Sequence, residues 1–195
     1  GSYYGWLLLL QGGAIGAFLS FDVILFYVFF ELTLIPSFFL IGRWAHACPE
    51  IVREIAARGH AIGNHTDTHP NLLFLSRRQI VDELLRCQTA IAEMTGTRPS
   101  LMRPPYGVRG PQLRAAVDQS GLAHVVTWTL IGRDWTGRGG EYLKARLSRV
   151  RGGDVVVLHD GCHLALRADR EATLRALEHW LPRWNDVGLS CTALC

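Results

Sequence analysis

An α/β architecture, an incomplete parallel β/α barrel preceded by an apolar helical segment, is the fold class that this 195-residue sequence predicts. Three observations point to it. After Gly42, short apolar runs alternate with amphipathic stretches, the pattern of a parallel sheet wrapped by helices. Polar residues able to do chemistry fall directly after those runs, where parallel β/α folds present their reacting groups. Before Gly42 the chain is almost wholly apolar, and all 20 basic residues come after it.

From Tyr3 to Gly42 the only charges are Asp22 and Glu31, and the stretch is long enough for two membrane helices of about 20 residues each. A buried hairpin of core helices is the alternative. A cleaved signal peptide fits poorly, because the stretch has no Lys or Arg to form a basic leading region. We therefore divide the chain into an apolar, membrane-like helical segment at 1–37 and a domain at 38–195. Localisation follows that segment: membrane-associated with it, extracytoplasmic or cytoplasmic without it.

Within the domain, strands are expected near Phe38–Gly42, Ala61–Asn64, Leu101–Arg103, His124–Trp128, Asp154–His159 and Leu189–Ala193. Ser76 and Gln79 form a capping box that opens a helix, Ile80, Leu84, Ile91 and Met94 give it an apolar stripe, and Gly96 stops it. Pro111 opens another helix that Gly121 can close. Six strands with their helices fall short of a complete eight-stranded barrel, which takes roughly 250 residues.

Every basic residue but Lys144 is Arg, spread without runs of like charge, so a solvated surface is expected and no nucleic-acid partner. The five cysteines, Cys48, Cys87, Cys162, Cys191 and Cys195, form no CxxC pair, which suggests neither a zinc knuckle nor a disulfide framework.

The polar residues at the strand ends are few. His65 and His69 follow the second strand as an HxxxH pair; on one helical turn that spacing puts two imidazoles on the same face, as used for zinc. Arg103 precedes Pro104 and Pro105, which hold it on a rigid extended segment fit to orient a carboxylate. Asp134 and Trp135 follow the fourth run. His159 ends the run VVVL and is followed by Asp160, the way a general acid would be presented.

Together, GNHTDTHP at Gly63–Pro70, RPPYG at Arg103–Gly107, RDW at Arg133–Trp135 and LHDG at Leu158–Gly161 resemble, in order and spacing, the polysaccharide deacetylase family. This is carbohydrate esterase family 4, or the NodB homology domain. FFLIGRW at Phe38–Trp44 and Asp169–Arg170 agree with it. The resemblance implies metal-dependent hydrolysis of acetyl groups on an N-acetylated amino-sugar polymer. It implies a divalent ion, zinc with cobalt or nickel as alternatives, ligated by His65 and His69. It further implies that Tyr106 offers its backbone N–H to the oxyanion, that His159 is the general acid tuned by Asp134, that Trp135 and Leu158 line the acetyl pocket, and that Arg103 holds the catalytic base. The family begins with a strand ending TFDD that supplies the base and a third metal ligand. Here SFDV at Ser20–Val23 has one Asp and lies too near Phe38 to be that strand. The expectation is thus a deacetylase-type barrel lacking its first strand and impaired in turnover, or a non-catalytic carbohydrate-binding remnant.

The run FDVILFYVFFELTLIPSFFLIG resembles a different family, the M subunit of respiratory NADH dehydrogenase, in which the glutamate at the position of Glu31 lies in a proton pathway. The rest of that subunit has no counterpart here, so proton translocation is not expected. Phe38–Gly42 fits both resemblances, as a join within a shared stretch would.

Overall fold

The computed structural model describes residues 37–40, 42–159 and 169–194. The expected helices over 3–36, with Asp22 and Glu31, lie outside them, as do Asp160 and Gly161. Among the described residues no helix is long and apolar enough to cross a membrane.

The elements in chain order are β1 (Ser37–Leu40), α1 (Gly42–Ala47), α2 (Pro49–Ala57), β2 (Ala61–Asn64), α3 (Arg77–Thr95), β3 (Leu101–Met102), α4 (Leu113–Gln119), β4 (His124–Val125), β5 (Leu130–Ile131), α5 (Gly139–Leu147), β6 (Val156–Val157) and α6 (Glu171–Asp186). Among the described residues all pairings are parallel: β1-β2-β3-β4 form one sheet and β5-β6 another. Parallel neighbours point their carboxyl ends the same way, so the residues after β2, β3, β5 and β6 lie on matching edges of their sheets.

Helix α3 is the pillar behind the larger sheet, and its sequence explains its limits. Ser76 and Gln79 cap each other reciprocally at the start, and Gly96, left-handed at φ 74°, closes the end. Ile80, Leu84 and Ile91 point inward; the first two join Met102, Leu113, Val117 and Leu122 in the core between α3, α4 and the sheet. A second core, of Leu143, Leu147, Ala176, Leu177 and Trp184, lies between α5 and α6, against the smaller sheet.

Several expected strands are shorter than their apolar runs. Gly42 begins α1 rather than ending a strand, Arg103 lies beyond β3, and the fourth run pairs only at His124–Val125. β5 at Leu130–Ile131 was not expected: its two residues owe their extended state to pairing with Val156–Val157. Leu189–Ala193 is not a strand. Gly188, at φ 78°, reverses the chain after α6, the Leu189 amide bonds back to the Trp184 carbonyl at 2.8 Å, and the Leu189 side chain packs into the α5–α6 core. That run's hydrophobicity serves helix closure, not a sheet.

Candidate active site

β2 carries Asn64 to the sheet edge, and Asn64 ties three elements together. Fully buried, it donates from Nδ2 to the Leu84 carbonyl of α3 at 2.8 Å and accepts from the Thr66 amide at 2.9 Å. Its carbonyl accepts from the Arg103 amide at 2.9 Å, beyond the end of β3. His65 and His69 follow, but not on a helical turn. They sit on a loop with two left-handed non-glycine residues, Thr66 (φ 68°) and His69 (φ 59°), a costly backbone that surrounding bonds must enforce. The Thr66 hydroxyl oxygen accepts from the His69 amide at 3.1 Å.

Glu83 of α3 supplies the rest of that enforcement. Its nearly buried carboxylate accepts from the Asp67 amide (3.0 Å), the Thr68 amide (2.8 Å) and the Thr68 hydroxyl (3.0 Å), and pairs with Arg86 at 2.7 Å. Arg86 also holds the Asp67 carboxylate at 3.0 Å, so Asp67 is engaged with α3. Sequence reasoning missed Glu83. The signal was present: a charge three residues after Ile80 falls on the helix's apolar stripe, where an unpaired carboxylate would be expensive.

The result is two neighbouring imidazoles, ring centroids 4.9 Å apart, with the Tyr106 ring 4.8 Å from His69. His65 Nδ1 lies 2.6 Å from the Arg103 carbonyl. A carbonyl only accepts, so Nδ1 carries the hydrogen and Nε2 keeps its lone pair, the orientation of a metal-binding imidazole. Burial pushes the His65 pKa from 6.5 down to about 3; the Arg103 carbonyl opposes this, and the charges of His69, Arg103 and His159 add to it. His65 is therefore a neutral donor at ordinary pH, and His159 is near enough for its charge to be felt there. Among the described residues no group of three or more His, Cys, Asp or Glu side chains gathers to hold a metal.

Arg103 enters the site through its backbone as well as its side chain. The guanidinium reaches the Thr127 carbonyl at 3.4 Å, and burial lowers its pKa to about 10, leaving it charged at neutral pH. Tyr106 follows in a single turn at Pro105–Gly107, itself left-handed (φ 58°, ψ 4°) and half exposed. Gly107 at φ 69° has the Trp128 ring where a Cβ would stand, so only glycine lets this turn close.

The other half of the site stands on β5 and β6. Asp134 sits in a short turn after left-handed Arg133, and its carboxylate is wholly buried. Oδ1 lies 2.9 Å from His159 Nδ1, and Oδ2 accepts from the His159 amide at 2.7 Å and from the Thr173 hydroxyl at 3.3 Å. Burial would raise the Asp134 pKa, but the His159 hydrogen bonds and charge outweigh it and hold it below the usual carboxylate value. Because the ionised carboxylate only accepts, His159 Nδ1 donates and Nε2 is left for a proton on the open side. The Trp135 ring packs edge-on to His159 at 4.7 Å and is half exposed, and Leu158 packs close over Gly132. Thr173, in the first turn of α6, had no signal in the sequence, since only the fold brings it to Asp134.

Residues 30–125 match the family model for polysaccharide deacetylase, beginning inside the segment assigned to 1–37. Over 166 residues the chain is 34% identical to a chitooligosaccharide deacetylase of Sinorhizobium fredii, covering 81% of this chain and 76% of that one. The chain belongs to the polysaccharide deacetylase family. Such deacetylases are hydrolases acting on acetylated carbohydrate, and this one has the mixed α/β fold of its relatives. A family 4 carbohydrate esterase from Streptomyces lividans, solved in complex with acetate, superposes with a TM-score of 0.73 at 30% identity, over 84% of this chain and 80% of that one. A peptidoglycan-N-acetylglucosamine deacetylase of Bacillus cereus is 31% identical over 156 residues, 78% of this chain; the chain spans about half of that relative, 54%.

Proposed function

We propose that residues 38–195 are a catalytic domain that removes acetyl groups from an N-acetylated amino-sugar polymer, with a divalent ion at His65 and His69. The observation that carries this reading is the pair of oppositely prepared histidines. His65 is held neutral with Nε2 available. His159 is backed by a buried carboxylate with Nε2 facing outward. A bound divalent ion supplies polarisation of the acetyl carbonyl. Water adds to that carbonyl and loses a proton to the base that Arg103 would hold; as the C–N bond breaks, His159 gives its Nε2 proton to the leaving amine, and Asp134 keeps the ring aimed and stabilises its charged form, an effect typically worth roughly 10²–10⁴ in rate. Tyr106, fixed by its left-handed backbone, is assigned the oxyanion donor, and Trp135 and Leu158 the walls around the acetyl methyl. Arg103 is assigned to hold the base.

Two parts of that reading concern the TFDD motif, which the sequence as written does not contain. With the barrel lacking its TFDD motif, the chain as written binds zinc, or cobalt or nickel, loosely and turns over slowly. The alternative, a carbohydrate-binding remnant without turnover, is favoured by the described donor set stopping at two imidazoles. Residues 3–36 are carried as a membrane attachment, supported by their near-absence of charge.

The test is zinc titration calorimetry beside acetate release from acetylated chito-oligomers. It compares the chain as written with one in which a TFDD strand and its helix replace residues 1–37. Both metal affinity and turnover are expected to rise in the second chain, and His159→Ala in it to abolish turnover while leaving zinc binding intact. No acetate release from the restored chain would leave only the binding reading. Vigorous release by the chain as written would show that another carboxylate serves as base.

A further inference from the structure

Beside Asp134 and Trp135 opens a cavity of about 300 Å³, lined among others by Arg133, Arg138, Tyr142, Asp169 and Arg170. Its volume is at the lower end for small-molecule sites, roughly 300–1,000 Å³, and suits a single sugar ring. The deacetylation chemistry assigned above does not use these residues.

The charges around this cavity are unevenly engaged. Asp134 directs both oxygens to His159 and Thr173, and Asp169 Oδ1 accepts from the Glu171 amide at 2.9 Å. Arg133 and Arg138 have no carboxylate partner among the described residues. The Arg138 guanidinium instead lies over the Tyr142 ring at 5.0 Å, which fixes it on the cavity wall. Arg146 also faces that ring, at 5.9 Å, while its guanidinium donates to the Ile131 carbonyl. Helix α5 begins at Gly139, which also lines the cavity. One guanidinium stacked on an aromatic ring, with a second arginine on the same lining, matches an oxyanion better than a neutral hydroxyl face.

We propose that this cavity is an acidic-sugar subsite: Arg133 and Arg138 bind a carboxylate on the residue next to the acetylated amino sugar, so that the preferred substrate is an acidic, not a neutral, acetylated glycan. The inference rests on the carbohydrate-deacetylase reading and narrows its substrate class. Asp134 and Trp135 border both places, so one chain of sugars can occupy the acetyl site and this cavity together.

The experiment is calorimetric titration of the full chain with two tetrasaccharides, chitotetraose and one alternating N-acetylglucosamine with glucuronate, and with sodium acetate alone. The acidic tetrasaccharide is expected to bind about tenfold more tightly, as a pair of charge-assisted hydrogen bonds supplies. Added salt should shrink the preference, since screening acts within about 10 Å at 0.1 M. The double variant Arg133→Gln, Arg138→Gln should lose the preference, binding the two tetrasaccharides alike. Equal affinities, or a preference that survives in the double variant, overturn the subsite while the deacetylase reading stands. Binding of neither tetrasaccharide overturns the carbohydrate reading and the subsite with it. Competition by free acetate that disappears in the double variant would assign the cavity to the released product and overturn the substrate preference.

Discussion

The two histidines at the heart of the site use the same nitrogen for opposite ends. On the larger sheet, His65 gives its Nδ1 hydrogen to a neutral carbonyl, that of Arg103, within an enclosure that strongly disfavours the charged ring. On the smaller sheet, His159 gives the same hydrogen to Asp134, a buried carboxylate fastened by Thr173, and the ring remains 40% exposed. A carbonyl orients without adding charge, and burial then keeps the imidazole a lone-pair donor. A carboxylate orients and also compensates a proton on the far nitrogen. The scaffolds differ likewise: the His65–His69 loop is left-handed at two positions and clamped by Glu83, whereas His159 needs only its strand end and Asp134.

If this contrast is right, removing either member of the imidazole pair should have the largest effect. His65→Ala or His69→Ala should weaken zinc binding by at least about 100-fold, with His159→Ala leaving it within about twofold, as read by calorimetry. Equal loss in all three would erase the distinction between the halves.

Glu83→Gln tests whether the loop, and not just its ligands, must be held. It keeps the shape but loses the charge facing Arg86 and weakens the bonds to the Asp67 and Thr68 amides, so zinc affinity should fall roughly 10-fold and stability by about 2 kcal/mol in urea unfolding. Unchanged affinity would make Glu83 a stability residue alone. Gly107→Ala places a methyl group on the Trp128 ring in a left-handed turn and should cost about 2–3 kcal/mol, displacing Tyr106 as seen by near-ultraviolet circular dichroism.

The pH dependence of the metal-free chain sharpens the comparison further. His65 is near 3 when folded and 6.5 in its ordinary state, so between those values the unfolded chain holds the extra proton. The stability from burying the neutral ring is complete above pH 6.5 and is lost as pH falls toward 3. His65→Gln should flatten the unfolding temperature across that window; an unchanged slope would contradict the assignment. Thr173→Val should have the smallest effect, about 1 kcal/mol of stability and a modest loss of order at His159, measured from its ring proton shifts.

Much of this was legible in the sequence because it is local. The capping box at Ser76 and Gln79 and the stop at Gly96 each follow from a few consecutive residues and their allowed backbone angles. The motif residues His65, His69, Arg103, Asp134 and His159 could be placed after apolar runs because parallel β/α chains present chemistry at strand ends. Tertiary structure decided what depends on partners distant in the chain. Leu130–Ile131 became a strand because Val156–Val157 lies beside it, and Leu189–Ala193 did not because its leading leucine was drawn into the α5–α6 core. Glu83 and Thr173 became site residues through hydrogen bonds spanning 15 and 39 positions, at a separation where residue type alone carries no address. Sequence determined which groups could react. The fold decided which imidazole would meet a carbonyl and which a carboxylate, because a side chain's protonation depends on the charges and solvent around it, and those arrive only with the packed neighbours.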